Sequence, residues 1–140
     1  DRNECLEKGY LTKIKPDKEI INKEIEESEY DFSKAENTFN DKDYKWSIIK
    51  SYYTIFHSAR ALLFKLGFRE KRHFAISVVL EELNKNGKIE RKYINYFNAA
   101  VSSREDTDYH YTYSEKIAED NLRIAEDFKE KINEMINNEL

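Results

Sequence analysis

The sequence predicts an all-α protein, an antiparallel up-down bundle of about five long helices preceded by a short N-terminal helix. Three observations lead there. Only three Gly and one Pro occur in 140 residues, so the chain has few of the residues that break helices or build tight turns. Apolar side chains recur at steps of three, four and seven over long stretches, which is the period of one helix face. Charged residues reach 37% and the hydrophobic set only 39%, against roughly 25% and 45–50% in ordinary domains. That balance suits slim helices with a narrow apolar stripe and a broad wet face. The core must lean on ten Tyr, eight Phe and one Trp, because each large ring buries about 150–250 Å². The length fits a single domain over residues 1–140.

Each element follows from this punctuation. "ECLEK" before Gly9 gives a short helix over about Asn3 to Lys8, with Gly9 beyond its end. Pro16 suits the first turn of a second helix, where its missing N–H is not needed. That helix runs to about Asn40 with Ile21, Ile25, Phe32, Ala35 and Phe39 on one face. Asp41 is the expected N-cap of the third, whose stripe is Ile48, Tyr52, Ile55, Ala59, Leu62 and Leu66. Ile49, Tyr53, Phe56 and Leu63 widen the stripe, so this should be the central, most buried helix. After Gly67 a fourth helix spans about Arg72 to Asn86, and after Gly87 a fifth spans about Ile89 to Arg104. Thr112 and Glu115 form a T-x-x-E capping box ahead of a last helix with Leu122, Ala125, Phe128, Ile132 and Ile136 inside. Short connections make sequential neighbours antiparallel.

The bulk numbers also bound function. A net charge of -4 argues against a protein that coats DNA by neutralising phosphates, though not against a local basic site. One cysteine, Cys5, provides neither an internal disulfide nor a cysteine-rich zinc site. No stretch reaches the roughly 18 apolar residues of a membrane span and no signal peptide is visible, so the expectation is a cytoplasmic protein away from membranes. Di-iron bundles need two E-x-x-H pairs; here Glu70–His73 is a single copy, and no metal or cofactor is expected.

Several polar residues stand out. His57, within "YYTIFHSARALL", reads as a hydrogen-bonded packing residue on the buried helix. The Tyr of "YKWSIIKSYYTIF" read as core. Lys65, Arg69, Lys71 and Arg72 surround the turn between the third and fourth helices, as a solvated turn or as a phosphate-contacting patch. "SSREDTDYHYTY" brings Arg104 to a helix end and His110 across a short connection. Arg offers a permanent planar cation matched to phosphate oxygens, and His can take or deliver a proton near neutrality. Metal-free RNA cleavage needs those two services: a base for the ribose 2′-OH and a cation for the charge that builds on phosphate. The alternative is that Arg104 pairs with Glu105, Asp106 or Asp108 while the Tyr pack and His110 is merely exposed.

The run "SIIKSYYTIFHSARALLFKLGFREKRHFA", then "SSREDTDY", then "YSEKIAEDNLRIAEDF" resembles the HEPN superfamily, small helical domains named for nucleotide binding in prokaryotes and higher eukaryotes. The likeness is to its stand-alone prokaryotic and archaeal branch and covers about Glu7 to the C-terminus. It implies an antiparallel bundle that dimerises. In active members an Arg followed four to six residues later by His makes a metal-independent ribonuclease site, with copies from both subunits lining one cleft. Arg104 and His110, five residues between them, match that pattern, and Tyr109, Tyr111 and Tyr113 would shape the cleft or contact bases. The resemblance further implies a toxin-like RNA endonuclease, neutralised by a minimal nucleotidyltransferase encoded beside it. Two positions depart from the family. Glu105 follows the Arg where active members often carry Asn or Asp, and Thr112 stands where some toxins carry a Tyr that the partner adenylylates. The alternative reading is a non-catalytic module that binds a nucleotide or docks a nucleotidyltransferase; a third is a plain interaction bundle.

Overall fold

The computed structural model describes residues 1–138, so the last two residues of the expected 1–140 span lie outside the described residues. In order come α1 (Arg2–Glu7), β1 (Leu11–Lys13), α2 (Lys18–Asn40), α3 (Tyr44–Leu66), β2 (Phe68–Glu70), α4 (Phe74–Lys85), α5 (Arg91–His110) and α6 (Glu115–Asn137). The expected all-α bundle of five long helices and one short one is present. No helix among the described residues is long and apolar enough to cross a membrane.

α3 is the axis of the molecule and packs against α2, α5 and α6. Ile48, Ile55, Leu62 and Leu63 are shut off from solvent, each such side chain contributing about 1.5–3 kcal/mol by leaving water. The apolar arc is so wide that from Ser47 to Phe64 only Lys50, Tyr53, His57 and Arg60 escape full burial. Their spacing of three, four and three is a single seam along the helix.

α2 closes one side of α3 through small residues. Ser28 Oγ donates to the Thr54 carbonyl at 2.8 Å and shares a hydrogen bond of 2.8 Å with Ser58 Oγ, while Ser47 Oγ donates to the Ala35 carbonyl at 2.9 Å. Partner numbers rise on one helix as they fall on the other, so the two are antiparallel. α5 and α6 are antiparallel as well: the rings of Phe97 and Phe128 lie 6.4 Å apart, and Asn121 Nδ2 donates to Ser103 Oγ at 3.2 Å.

The structure corrects several boundaries. Asp41 ends α2, and it is Asp43 that caps α3 by accepting from the Trp46 N–H. Asp17 caps α2 just after Pro16. Ser114 caps α6 by accepting from the Ile117 N–H, in place of the expected Thr112–Glu115 box. α5 continues beyond Arg104 to His110, because nothing between them breaks a helix. A two-stranded antiparallel sheet was also not expected: Leu11 pairs with Glu70, Thr12 with Arg69 and Lys13 with Phe68. Three-residue strands are too short to show an alternating pattern.

The sheet begins where α3 ends. Gly67 caps α3 at φ 89°, in the left-handed region, and accepts a hydrogen bond from the Ile14 N–H at 2.9 Å. A Cβ at Gly67 would lie 3.3 Å from the Ile14 carbonyl oxygen, whereas one at Gly87 (φ 71°) would meet nothing within 4 Å. Left-handed backbone costs a side-chain-bearing residue about 1–2 kcal/mol. Gly67→Ala should therefore lose about 2 kcal/mol in urea denaturation, and Gly87→Ala about 1 kcal/mol. Equal losses would show that the approach of Ile14 adds no constraint.

Candidate functional site

Arg104 lies on the face of α5 that meets α3. Its guanidinium carbon sits 4.9 Å from the Tyr52 ring centre and 5.5 Å from that of Tyr53, close enough for the rings' negative faces to attract it. Nε lies 3.4 Å from Asp108 Oδ2, one helical turn on. The two are at ion-pair distance without hydrogen-bond geometry, and Nε is buried with no hydrogen-bond partner. Burial pushes the Tyr52 hydroxyl pKa up, and the charge of Arg104 opposes but does not cancel that rise. Among the described residues Glu105 makes no ion pair and is exposed. The carboxylate that engages Arg104 is thus Asp108.

His110 is the last residue of α5 and is exposed. Six helical steps place it about 9 Å along the axis and about 120° around it from Arg104. Within one chain the two side chains therefore do not converge. The helix ends at Tyr111, whose φ of 53° is unusual for a residue with a side chain. The N–H groups of Tyr111 and Thr112 both reach the Asp106 carbonyl, and the buried Thr107 donates Oγ1 to the Thr112 carbonyl at 3.2 Å. This fixed turn presents Tyr109 and Tyr111, 75% and 77% exposed, with Tyr113 beside them. These three rings turn outward near His110, in contrast to the buried Tyr52 of α3.

Arg69 and Arg72 belong elsewhere. Arg69 packs on Phe64 near the C-terminal end of α3, with its guanidinium carbon 5.6 Å from the ring centre. Phe64 is about 16 Å along the helix from Tyr53. The structure does not join these two arginines to Arg104.

The seam of α3 holds a charged cluster around His57, which the sequence reads as a packing residue. His57 Nδ1 lies 2.6 Å from Glu24 Oε2, and its Nε2 lies 3.6 Å from Asp31 Oδ2. Arg60 grips Glu70 with Nε and Nη2 and reaches Glu24 with Nη1 at 3.4 Å. Lys50 Nζ stands 4.0 Å from Asp31 Oδ1. α2, α3 and β2 are thereby tied by one chain of alternating charges. Burial would raise the Glu24 pKa, but the hydrogen bond and charge of His57, with Arg60, outweigh it and hold the group below its ordinary value. Asp31 goes the other way: burial raises it, and His57 and Lys50 only partly compensate. The available signal was Lys50, His57 and Arg60 at helical spacing on an otherwise buried helix, opposite Glu24, Glu27 and Asp31 at helical spacing on α2. The Tyr53 ring joins the two regions, lying under Arg104 on one side and 6.4 Å from the His57 ring on the other.

A sequence model of the HEPN domain matches residues 21–135. Two proteins of Methanocaldococcus jannaschii, each carrying the name "Putative toxin", are similar to the chain. One is 27% identical over 96 residues, an alignment that covers 68% of this chain and 65% of the relative's own length. The other is 30% identical over 125 residues, covering 82% of this chain and 93% of the relative.

The charge chain predicts opposite pH signatures for two carboxylates. Glu24 has a folded pKa below its ordinary 4.5, so its stabilisation is complete above that value and is lost as pH falls through the folded pKa. Glu24→Gln should lose on the order of 2 kcal/mol at pH 7, less than for a fully buried pair, with the deficit shrinking in acid. Asp31, with a raised folded pKa, stabilises in acid and loses that contribution as pH rises. Asp31→Asn should therefore improve relative to the parent between acid and neutral pH. Denaturation curves of both variants across pH 3–7 test the pair; parallel trends would contradict it.

Proposed function

The chain belongs to the HEPN domain family, and on that premise we propose that it is a toxin-like member that cleaves RNA without a metal ion and is restrained by an antitoxin partner. The observation that carries this reading is the arrangement at the C-terminal half of α5. An arginine rests on two aromatic rings, and a histidine six positions on lies exposed in a patch of three outward tyrosines. Arg104 would hold the scissile phosphate by charge and by its planar fork. His110 would take the proton from the ribose 2′-OH, whose oxygen attacks phosphorus as the P–O5′ bond breaks; the leaving oxygen takes a proton from the protonated imidazole or from water, giving a cyclic phosphate and a free 5′-hydroxyl. The exposed Tyr109, Tyr111 and Tyr113 offer flat faces for unpaired bases.

Because Arg104 and His110 diverge around one helix, the reading requires a second copy of the chain, so that both copies' residues line one cleft. The names carried by the two archaeal relatives support the toxin role and, with it, an antitoxin. A minimal nucleotidyltransferase is the partner we propose.

A second reading rests on a different observation, the engagement of Arg104 by Asp108. In it the domain binds a nucleotide or docks a nucleotidyltransferase without catalysis, with Arg104 as a phosphate contact or a structural clamp.

The experiment is RNA cleavage in the presence of a chelator. Wild type should yield cyclic-phosphate ends, and Arg104→Ala and His110→Ala should each reduce the rate about 10²–10⁴-fold. Asp108→Asn, which frees the guanidinium, should retain or raise activity. An inactive wild type, or cleavage indifferent to His110→Ala, would favour the non-catalytic reading. Sedimentation should show a dimer in every active variant.

A further inference from the structure

We propose that Glu27, Asp31 and His57 form a binding site for a divalent transition-metal ion of the zinc type, which clamps α2 to α3. One donor atom from each of the three residues lies within 4.8 Å of the other two. His57 Nε2 and Asp31 Oδ2, at 3.6 Å, already fit two ligands of one ion, since bonds of about 2.0–2.2 Å keep such ligands within roughly 4 Å of each other.

The imidazole is set up for this role from behind. Glu24 is a carboxylate that can only accept, so the proton of the 2.6 Å contact belongs to Nδ1. Nε2 is then the nitrogen that faces Asp31. At 3.6 Å it is too far for a hydrogen bond, and among the described residues it makes none. A histidine whose outer nitrogen is held by a carboxylate, leaving the inner one to a metal, is the usual arrangement of a metal-ligating imidazole. Arg60 and Glu70 hold Glu24 in place in turn.

The second observation is Asp31 itself. Its side chain is nine-tenths buried, yet among the described residues it makes no hydrogen bond. Its two oxygens divide their surroundings: Oδ1 faces Lys50 at 4.0 Å and Oδ2 faces the histidine. Lys50 stands 4.0 Å from one oxygen, and a dication between Oδ2 and His57 Nε2 would give the other a close partner. Glu27 is exposed and one helical turn from Asp31, so it can swing onto the ion without disturbing the core. One imidazole and two carboxylates favour zinc-type ions over magnesium, which avoids nitrogen donors and dehydrates reluctantly.

The proposal rests on neither Arg104 nor His110, so failure of the RNA assay leaves it standing. Its test is titration of the full chain with Zn2+ by calorimetry at pH 7, alongside thermal melts with and without the ion. One ion per chain should bind with a Kd below about 10 μM and raise the melting temperature. Glu27→Gln, an exposed change that leaves the fold intact, should weaken binding by about tenfold or more, and Glu24→Gln by about 10–100-fold. Mg2+ in large excess should not compete. No saturable binding below about 100 μM, or unchanged binding by Glu27→Gln and His57→Gln, would overturn the site. Displacement by Mg2+ would overturn the class of ion.

Discussion

A helix buried on nearly every side sets the terms for the rest of this molecule. α3 is apolar around most of its circumference, so it can be stable only if other helices cover it, and α2, α5 and α6 do so. The cover is close because the α2 contact is lined with Ser28, Ser47 and Ser58 and with Ala35, all essentially shut off from solvent. Each serine hydroxyl there must find a partner once water is gone, and Ser28 and Ser47 take theirs from the opposite helix. The same hydrogen bonds that satisfy these groups fix the register of the two helices.

Burial of α3 also decides where its charges go. A helix with one seam to solvent concentrates its polar side chains there, and Lys50, Tyr53, His57 and Arg60 occupy it. Half-buried charges are costly unless paired, so the facing stripe of α2 carries Glu24 and Asp31, and β2 supplies Glu70. The grip of Arg60 on Glu70 explains why a strand of three residues is held in place: it is anchored by charge from α3 and by backbone pairing from β1. The short sheet then seats α4, since the N–H groups of Lys71 and Arg72 both reach the Tyr10 carbonyl.

Much of this was legible in the sequence, and the failures have specific physical causes. Long helices could be read because their apolar period persists over many turns, and α3 could be singled out as central from the width of its arc. Caps were misplaced by two residues where two good capping residues compete, Asp41 with Asp43 and Thr112 with Ser114, since local chemistry does not rank them. The sequence pattern ends α5 six residues early because a dense run of charges resembles a connection. The absence of Gly and Pro through that run was the better guide. The pairing of Glu24 with His57 and of Arg60 with Glu70 could not be read at all. Such contacts depend on which face of α2 meets α3, and that is decided by the helix packing, beyond the reach of local spacing.

Glu105 departs from the family pattern beside Arg104, but the carboxylate that engages Arg104 is Asp108. An ion pair between side chains about one-third exposed, at 3.4 Å and without hydrogen-bond geometry, contributes at most about 1 kcal/mol after solvent screening. A phosphodiester offers the same charge with better matched oxygens and can accept from two guanidinium nitrogens together. Exchanging Asp108 for phosphate would therefore cost little. What Asp108 does supply is position. With Tyr52 and Tyr53 beside it, the guanidinium is confined near the rings, and less side-chain entropy remains to be lost when an anion binds. If Arg104 holds phosphate as proposed, Asp108 would be its placeholder, and the aromatic pair of α3 would be the support that holds the cation ready.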